Sequence, residues 1–139
     1  MRRAALLGLV VFLVSVEPAA AAPLHSGSFH MPSRNVGCIY SPAAGGHAAS
    51  IRCDILSGLV PEPTRACELD WTGLGMTGAR RARPVCAGDT AYSTSSPVLR
   101  YGRAWTRGPF RCTSRTTGLA CSSRAGHGFK LARAGWSVH

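Results

Sequence analysis

Six cysteines, Cys38, Cys53, Cys67, Cys86, Cys112 and Cys121, are the residues of this chain best suited to defined chemistry. The set is even and contains no Cys-x-x-Cys pair that could form a zinc knuckle. It therefore points to three disulfides and away from a metal centre. Oxidised cysteines supply no thiolate, so no cysteine nucleophile is expected. The remaining acid–base inventory is small. Past Glu17 the carboxylates are Asp54, Glu62, Glu68, Asp70 and Asp89. Glu68 and Asp70 stand at i and i+2, where a strand would place both on one face, and a carboxylate pair can cleave glycosides. His127, between Gly126 and Gly128, can act as a base or a pH-sensitive contact. These residues define one enzymatic alternative, a small secreted hydrolase using Glu68 or Asp70 with His127. An exposed acidic edge and a turn histidine are the plainer readings. Asp89, in Ala-Gly-Asp-Thr, is expected to cap a turn. There is no G-x-S-x-G, P-loop, H-E-x-x-H or dinucleotide fingerprint. No catalytic residue, cofactor or metal ligand is assigned.

The charge balance is the second chemical signal. The chain carries 16 Lys+Arg against 6 Asp+Glu, for a formal net charge of +10. Such an excess favours acidic partners: anionic envelope polymers, anionic lipid, nucleic acid or an acidic protein. All the basic residues but Lys130 are Arg, a bias that a GC-rich genome alone can produce, and net charge also keeps a secreted protein soluble. The one true cluster is Arg80, Arg81 and Arg83, between Cys67 and Cys86 and near Trp71 in sequence. It is the first choice for a contact patch, with Trp71 and His127 as further candidate binding residues. Arg103, Arg107, Arg111 and Arg115 recur every four residues, but Gly102, Gly108 and Pro109 exclude a continuous helix there. On strands, Arg111 and Arg115 would point away from the cysteine face, toward solvent.

The elements that position these residues begin after an export signal. Met1-Arg2-Arg3 is positive, Ala4 to Val16 is uncharged and apolar, and Glu17-Pro18 precedes a run of alanines. Charged start, short apolar middle and small-residue finish make a secretory signal peptide over residues 1–21. The apolar run is too short for a bilayer core of about 30 Å. Residues 22–139 then form a single domain, with no second apolar stretch able to span a membrane.

Helices have little room in that domain, because Gly or Pro interrupts every stretch. Short strands are expected near Asn35–Tyr40, Ser50–Ile55, Val98–Tyr101, Pro109–Ser114, Leu119–Ser123, Gly128–Ala132 and Trp136–Val138, with one helical turn over Glu62–Leu69. The triplets Val36/Cys38/Tyr40 and Ile51/Cys53/Ile55 each alternate at period two. Facing Cys38 with Cys53 antiparallel also faces Val36 with Ile55 and Tyr40 with Ile51. Facing Cys112 with Cys121 leaves Thr116-Thr117 as a hairpin turn, with Gly118 where positive φ is useful. Cys67 with Cys86 follows by elimination. Sequential pairing is the expectation among the connectivities that six cysteines allow. Nine aromatics from Phe29 to Trp136 are enough for a modest core and are read as core residues.

Several segments taken together carry a resemblance: Met31-Pro-Ser-Arg-Asn-Val-Gly-Cys38, Ile51-Arg-Cys-Asp-Ile55, Cys67-Glu-Leu-Asp-Trp71, Cys86-Ala-Gly-Asp-Thr90, Leu99-Arg-Tyr-Gly102, Phe110-Arg-Cys112 with Gly118-Leu-Ala-Cys121, and Gly126-His-Gly-Phe129. Their order and spacing resemble an uncharacterised family of small secreted bacterial proteins, mostly actinobacterial, catalogued as a domain of unknown function. The resemblance runs from about Phe29 to the C-terminus. It implies export and the same six-cysteine framework, and no activity. The family pattern often has Gly directly after Asp-Trp, whereas here Thr72 intervenes before Gly73. The arginines at 80, 81 and 83 replace a stretch that tends to be apolar in the family, so a function built on them would belong to this protein.

The expectation is therefore an all-β, mainly antiparallel, disulfide-stapled sandwich or barrel with at most one short helix. It is monomeric and either secreted or held in the periplasm or cell envelope. It acts as a binding module toward an extracellular protein or an anionic envelope polymer, for example as an inhibitor of an extracellular enzyme. Beside the hydrolase, the other alternative is nonspecific binding of anionic polymer, nucleic acid or a membrane surface through Arg.

Overall fold

The computed structural model describes residues 25–139. The expected signal peptide over 1–21 lies outside them. Ten strands form two antiparallel sheets of five, and no helix occurs among the described residues. The first sheet runs β1 (Ser28–His30), β2 (Val36–Ser41), β3 (Ser50–Ile55), β4 (Asp70–Thr77) and β5 (Arg83–Ala87) in chain order. The second runs β6 (Ala104–Arg107), β7 (Phe110–Arg115), β8 (Gly118–Ser123), β9 (Gly128–Ala132) and β10 (Gly135–Val138), also in chain order. Each sheet is a meander of neighbouring hairpins, so each half of the sequence builds its own sheet.

The inner faces share one core. Leu74 and Ile51 from the first sheet join Trp105, Phe110, Leu119, Phe129 and Leu131 from the second, all at most 2 % exposed. Phe29 meets Trp105 at 5.1 Å between ring centroids, and Tyr40 lies edge-on to both Trp105 and Phe110. Period-two alternation explains this directly. In β7, Phe110, Cys112 and Ser114 are buried while Arg111 and Arg115 are exposed.

Two disulfides lie within this core, one per sheet. Cys38 faces Cys53 in the β2–β3 ladder, and Val36 faces Ile55 and Tyr40 faces Ile51 as the alternation predicts. Cys112 faces Cys121 in β7–β8, with Thr116-Thr117 at the turn and Gly118 at φ 131°. Their Cα separations, 4.1 and 4.0 Å, are those of directly opposed residues at a site without ladder hydrogen bonds. The third bridge, Cys67–Cys86, ties the 56–69 connection to edge strand β5.

Several elements differ from the sequence expectation. Residues 62–69 form bends and no helical turn, because Pro61 and Pro63 precede a segment drawn out to its disulfide. Val98–Tyr101 is not a strand. Val98 makes one parallel bridge to His30, and the chain then turns at Arg100–Arg103 to cross to the second sheet. Strands β1, β4, β5 and β6 were not expected. The glycines of β4 and Pro84 of β5 hide their alternation, and Pro84 is tolerated because β5 is an edge. Thr72, the residue separating Asp70-Trp71 from Gly73, is accommodated as a bulge: Trp71 pairs with Cys86 and Gly73 with Val85.

The chain between the sheets straps over the outer face of the first. It follows one row of side chains across the strands: Asp54 on β3, Gly37 on β2, His30 on β1. The Ala91 N–H donates to Asp54 Oδ2 at 2.7 Å, Tyr92 lies on Gly37, and the His30 ring meets Tyr92 and Ser96. Gly37 is required there, since a Cβ would sit 2.6 Å from Tyr92 Cα.

Candidate functional site

The strap is anchored by an ionic network that the sequence reading missed. Arg52 and Asp54 stand at i and i+2 on β3, so both face outward from the core under the strap. Arg52 donates twice to Asp54, at 2.9 Å through Nε and 2.7 Å through a terminal nitrogen. It also donates to Asp89 Oδ1 at 2.9 Å and to the Asp89 carbonyl at 2.8 Å. Thr72 Oγ1 donates to Asp54 Oδ1. Asp54 is thus fully partnered although only 1 % exposed, as a buried charge must be. The hydrogen bonds from Arg52 hold the Asp89 carboxyl below the ordinary aspartate value. Bonding to Asp54, reinforced by Asp89 and opposed by burial, raises Arg52 further above the ordinary arginine value. Asp89, expected only to cap a turn, closes the strap onto β3. The alternation of Arg52 and Asp54 with apolar Ile51, Cys53 and Ile55 was the available signal.

Beside this network lies a cavity of about 660 Å³, lined among others by Asp54, Glu62, Asp70, Trp71 and Asp89. Two of its four carboxylates already satisfy Arg52. Asp70 lines this cavity, while Glu68 and His127 do not. Glu68 precedes β4 and so does not share a strand face with Asp70. His127 lies in the β8–β9 turn, its carbonyl accepting from the Ser123 N–H. The three residues of the hydrolase alternative are not assembled around this space.

Arg80 and Arg81 occupy the β4–β5 turn and Arg83 opens β5, all exposed. Trp71 lies at the start of β4, in register with Cys86, roughly 20 Å along the strand from the turn that holds Arg80 and Arg81 and roughly 10 Å from Arg83, and it packs against the core while Arg83 is exposed. Cluster and tryptophan therefore do not form the joint patch that sequence proximity suggested. The turn instead meets the second sheet: a Cβ on Gly78 would lie 3.0 Å from Pro109, whose carbonyl accepts from the Arg124 N–H.

The outer face of the second sheet is different in kind. From Thr90 to His139 there is no Asp or Glu, and there are eight basic residues: Arg100, Arg103, Arg107, Arg111, Arg115, Arg124, Lys130 and Arg133. All five carboxylates past Glu17 lie on the first-sheet half. The register of β6–β9 sets Thr106, Arg111, Ser122 and Gly128 in one row across the face. Ala104, Thr113, Ala120 and Lys130 form the next. Arg111, Arg115 and Lys130 are exposed, and the small residues between them leave the surface open. The outward direction of Arg111 and Arg115 agrees with the alternation, whereas Arg124 and Lys130 join them only through the register.

No group of His, Cys, Asp and Glu suited to a metal ion occurs among the described residues, and no helix there is long and apolar enough to cross a membrane. Neither a curated protein nor a solved structure matches the chain. A family model does match, over residues 5–138 and thus nearly the whole sequence, and the chain accordingly belongs to the family of unknown function DUF6636.

Proposed function

We propose that this protein is an exported binding module that takes an anionic polymer of the cell envelope onto the outer face of its second sheet. Residues 1–21 serve as its signal peptide and 22–139 as the mature domain. The three disulfides fit this assignment, since they belong to an oxidising compartment. The observation that carries the reading is the segregation of charge. The half-chain from Thr90 onward holds eight cationic residues and no Asp or Glu, and the meander topology sets four of them, Arg111, Arg115, Arg124 and Lys130, exposed around the open face of the second sheet. Disulfides within both sheets keep that face rigid, so little ordering cost accompanies binding.

The test is binding of the oxidised mature domain to immobilised polyglycerol phosphate at low and at physiological salt, with neutral dextran as control. Retention that falls as salt rises, with a log–log slope counting several released counterions, is the expected result. Equal retention on dextran, or none on the anionic polymer at low salt, would overturn the reading.

A further inference from the structure

The cations on this face are not evenly spread. One depression of about 230 Å³, between the β6–β7 turn and the end of β8, is lined by Arg111 and Arg124 with the hydroxyl residues Thr106 and Ser122. Ser123 borders the same depression, but its side chain turns to the core side with Leu119 and Cys121. A second depression, of about 130 Å³, is lined by Arg115 and Lys130 with Thr117 and Ala120. On β7 the outward residue between Arg111 and Arg115 is Thr113, small and uncharged. Each depression thus pairs two cations with a hydroxyl group, the donor set that suits a tetrahedral oxyanion. Arginine adds a planar fork that can hold two oxygens at once. Arg111 and Arg115 are four residues apart on β7, so these two arginines are separated by roughly 14 Å along the strand, with Lys130 on β9 level with Thr113 between them.

We infer that the face holds a phosphate polymer at two oxyanion subsites, Arg111/Arg124 and Arg115/Lys130, and so selects chains long enough to bridge them. This rests on the anionic-polymer reading and adds to it the ligand chemistry and a length requirement. A phosphate bound at one subsite presents the rest of its chain to the other at an effective concentration in the millimolar range. A bridging chain therefore gains about 10²-fold or more over one that cannot bridge. A diffuse positive field would instead gain steadily with charge and would not depend on which arginine is removed.

The experiment compares pyrophosphate, much shorter than the gap, with long-chain inorganic polyphosphate. Both are titrated at low salt into the oxidised mature domain and three variants. Arg111→Ser/Arg124→Ser and Arg115→Ser/Lys130→Ser each empty one subsite. Arg65→Ser/Arg81→Ser removes the same charge from the first-sheet half. All six positions are exposed; a count of reactive thiols checks that each variant is oxidised, and a cooperative urea transition checks that it is folded. Polyphosphate should bind the unaltered domain about 10²-fold tighter than pyrophosphate. Either subsite variant should collapse that ratio to within a fewfold, while the first-sheet variant keeps it. Equal losses in all three variants, or a loss confined to one subsite, would overturn the two-subsite inference and leave polyanion binding standing. Polyglutamate bound as tightly, with the same dependence on the variants, would overturn the phosphate assignment. No binding of polyphosphate or polyglutamate by the unaltered domain would sink this inference and the reading beneath it.

Discussion

Replacing Asp54 with Ala tests whether the outer strap is held by one buried ion pair. The change removes the acceptor of two arginine hydrogen bonds, of the Thr72 hydroxyl and of the Ala91 N–H. Breaking a buried pair by deleting one partner costs about 3–5 kcal/mol. The Asp54 side chain is 2 % exposed but that of Arg52 is 24 % exposed, so the orphaned guanidinium can turn toward water and keep Asp89. That places the expected cost at the lower end, about 3 kcal/mol. With a urea m-value of about 1.5 kcal/mol/M for a domain of this size, the unfolding midpoint should fall by about 2 M with m unchanged. Amide exchange supplies the local readout: Ala91 and Tyr92 should lose protection, while the β7–β8 ladder changes only with global stability. Asp54→Asn, which keeps the shape and a carbonyl acceptor, should lose less than Asp54→Ala. A midpoint shift worth under about 1 kcal/mol, or unchanged protection at Ala91, would refute the reasoning, because it would mean that the strap is held by its packing alone.

Three more outcomes follow from the same geometry. Gly37→Ala drives a Cβ to 2.6 Å from Tyr92 Cα, so the strap must lift; a loss of about 1–3 kcal/mol and new proteolytic cleavage within 88–97 are expected. Loop entropy alone ranks the Cys67–Cys86 bridge, with separation 19, above Cys112–Cys121, with separation 9. Burial reverses that order: paired Ala replacements should cost about 3 kcal/mol at Cys67/Cys86 and about 4 kcal/mol at core-facing Cys112/Cys121, as read from urea midpoints. The Asp89 carboxyl is held below the ordinary aspartate value, so its contribution is complete above that ordinary value and is lost as pH falls through the depressed one. The stability difference between the unaltered domain and Asp89→Asn should therefore be constant at neutral pH and vanish in acid, a trend that denaturation at a series of pH values would check.

Much of the covalent and strand-level architecture is a local matter, and so it was legible. Alternation at period two fixes which side chains share a face. A one-residue slip in β2–β3 would turn Cys38, Val36 and Tyr40 away from Cys53, Ile55 and Ile51 together. The same holds for Cys112 and Cys121 around their two-residue turn. Composition likewise announced a cationic chain with few groups able to do acid–base chemistry.

Strands whose side chains are missing or atypical were not legible. β4 carries Gly73 and Gly75, β5 carries Pro84, and β1 and β6 are only three and four residues long; each exists because a neighbour offers a ladder to complete. Nor could spacing show that Asp89 returns to Arg52, or that Tyr92 lies on Gly37. Those contacts span 37 and 55 positions and depend on the strap crossing the sheet. The binding face divides the same way. Alternation within β7 is enough to turn Arg111 and Arg115 outward, and composition is enough to show that no acid follows Asp89. Strand pairing alone brings Lys130, level with Thr113, to the depression that Arg115 also lines, and the Arg124 N–H bond to the Pro109 carbonyl brings Arg124 to that of Arg111. The physical reason is that periodicity is a property of one strand, whereas a surface belongs to several strands whose offsets are fixed by pairing and by a shared core.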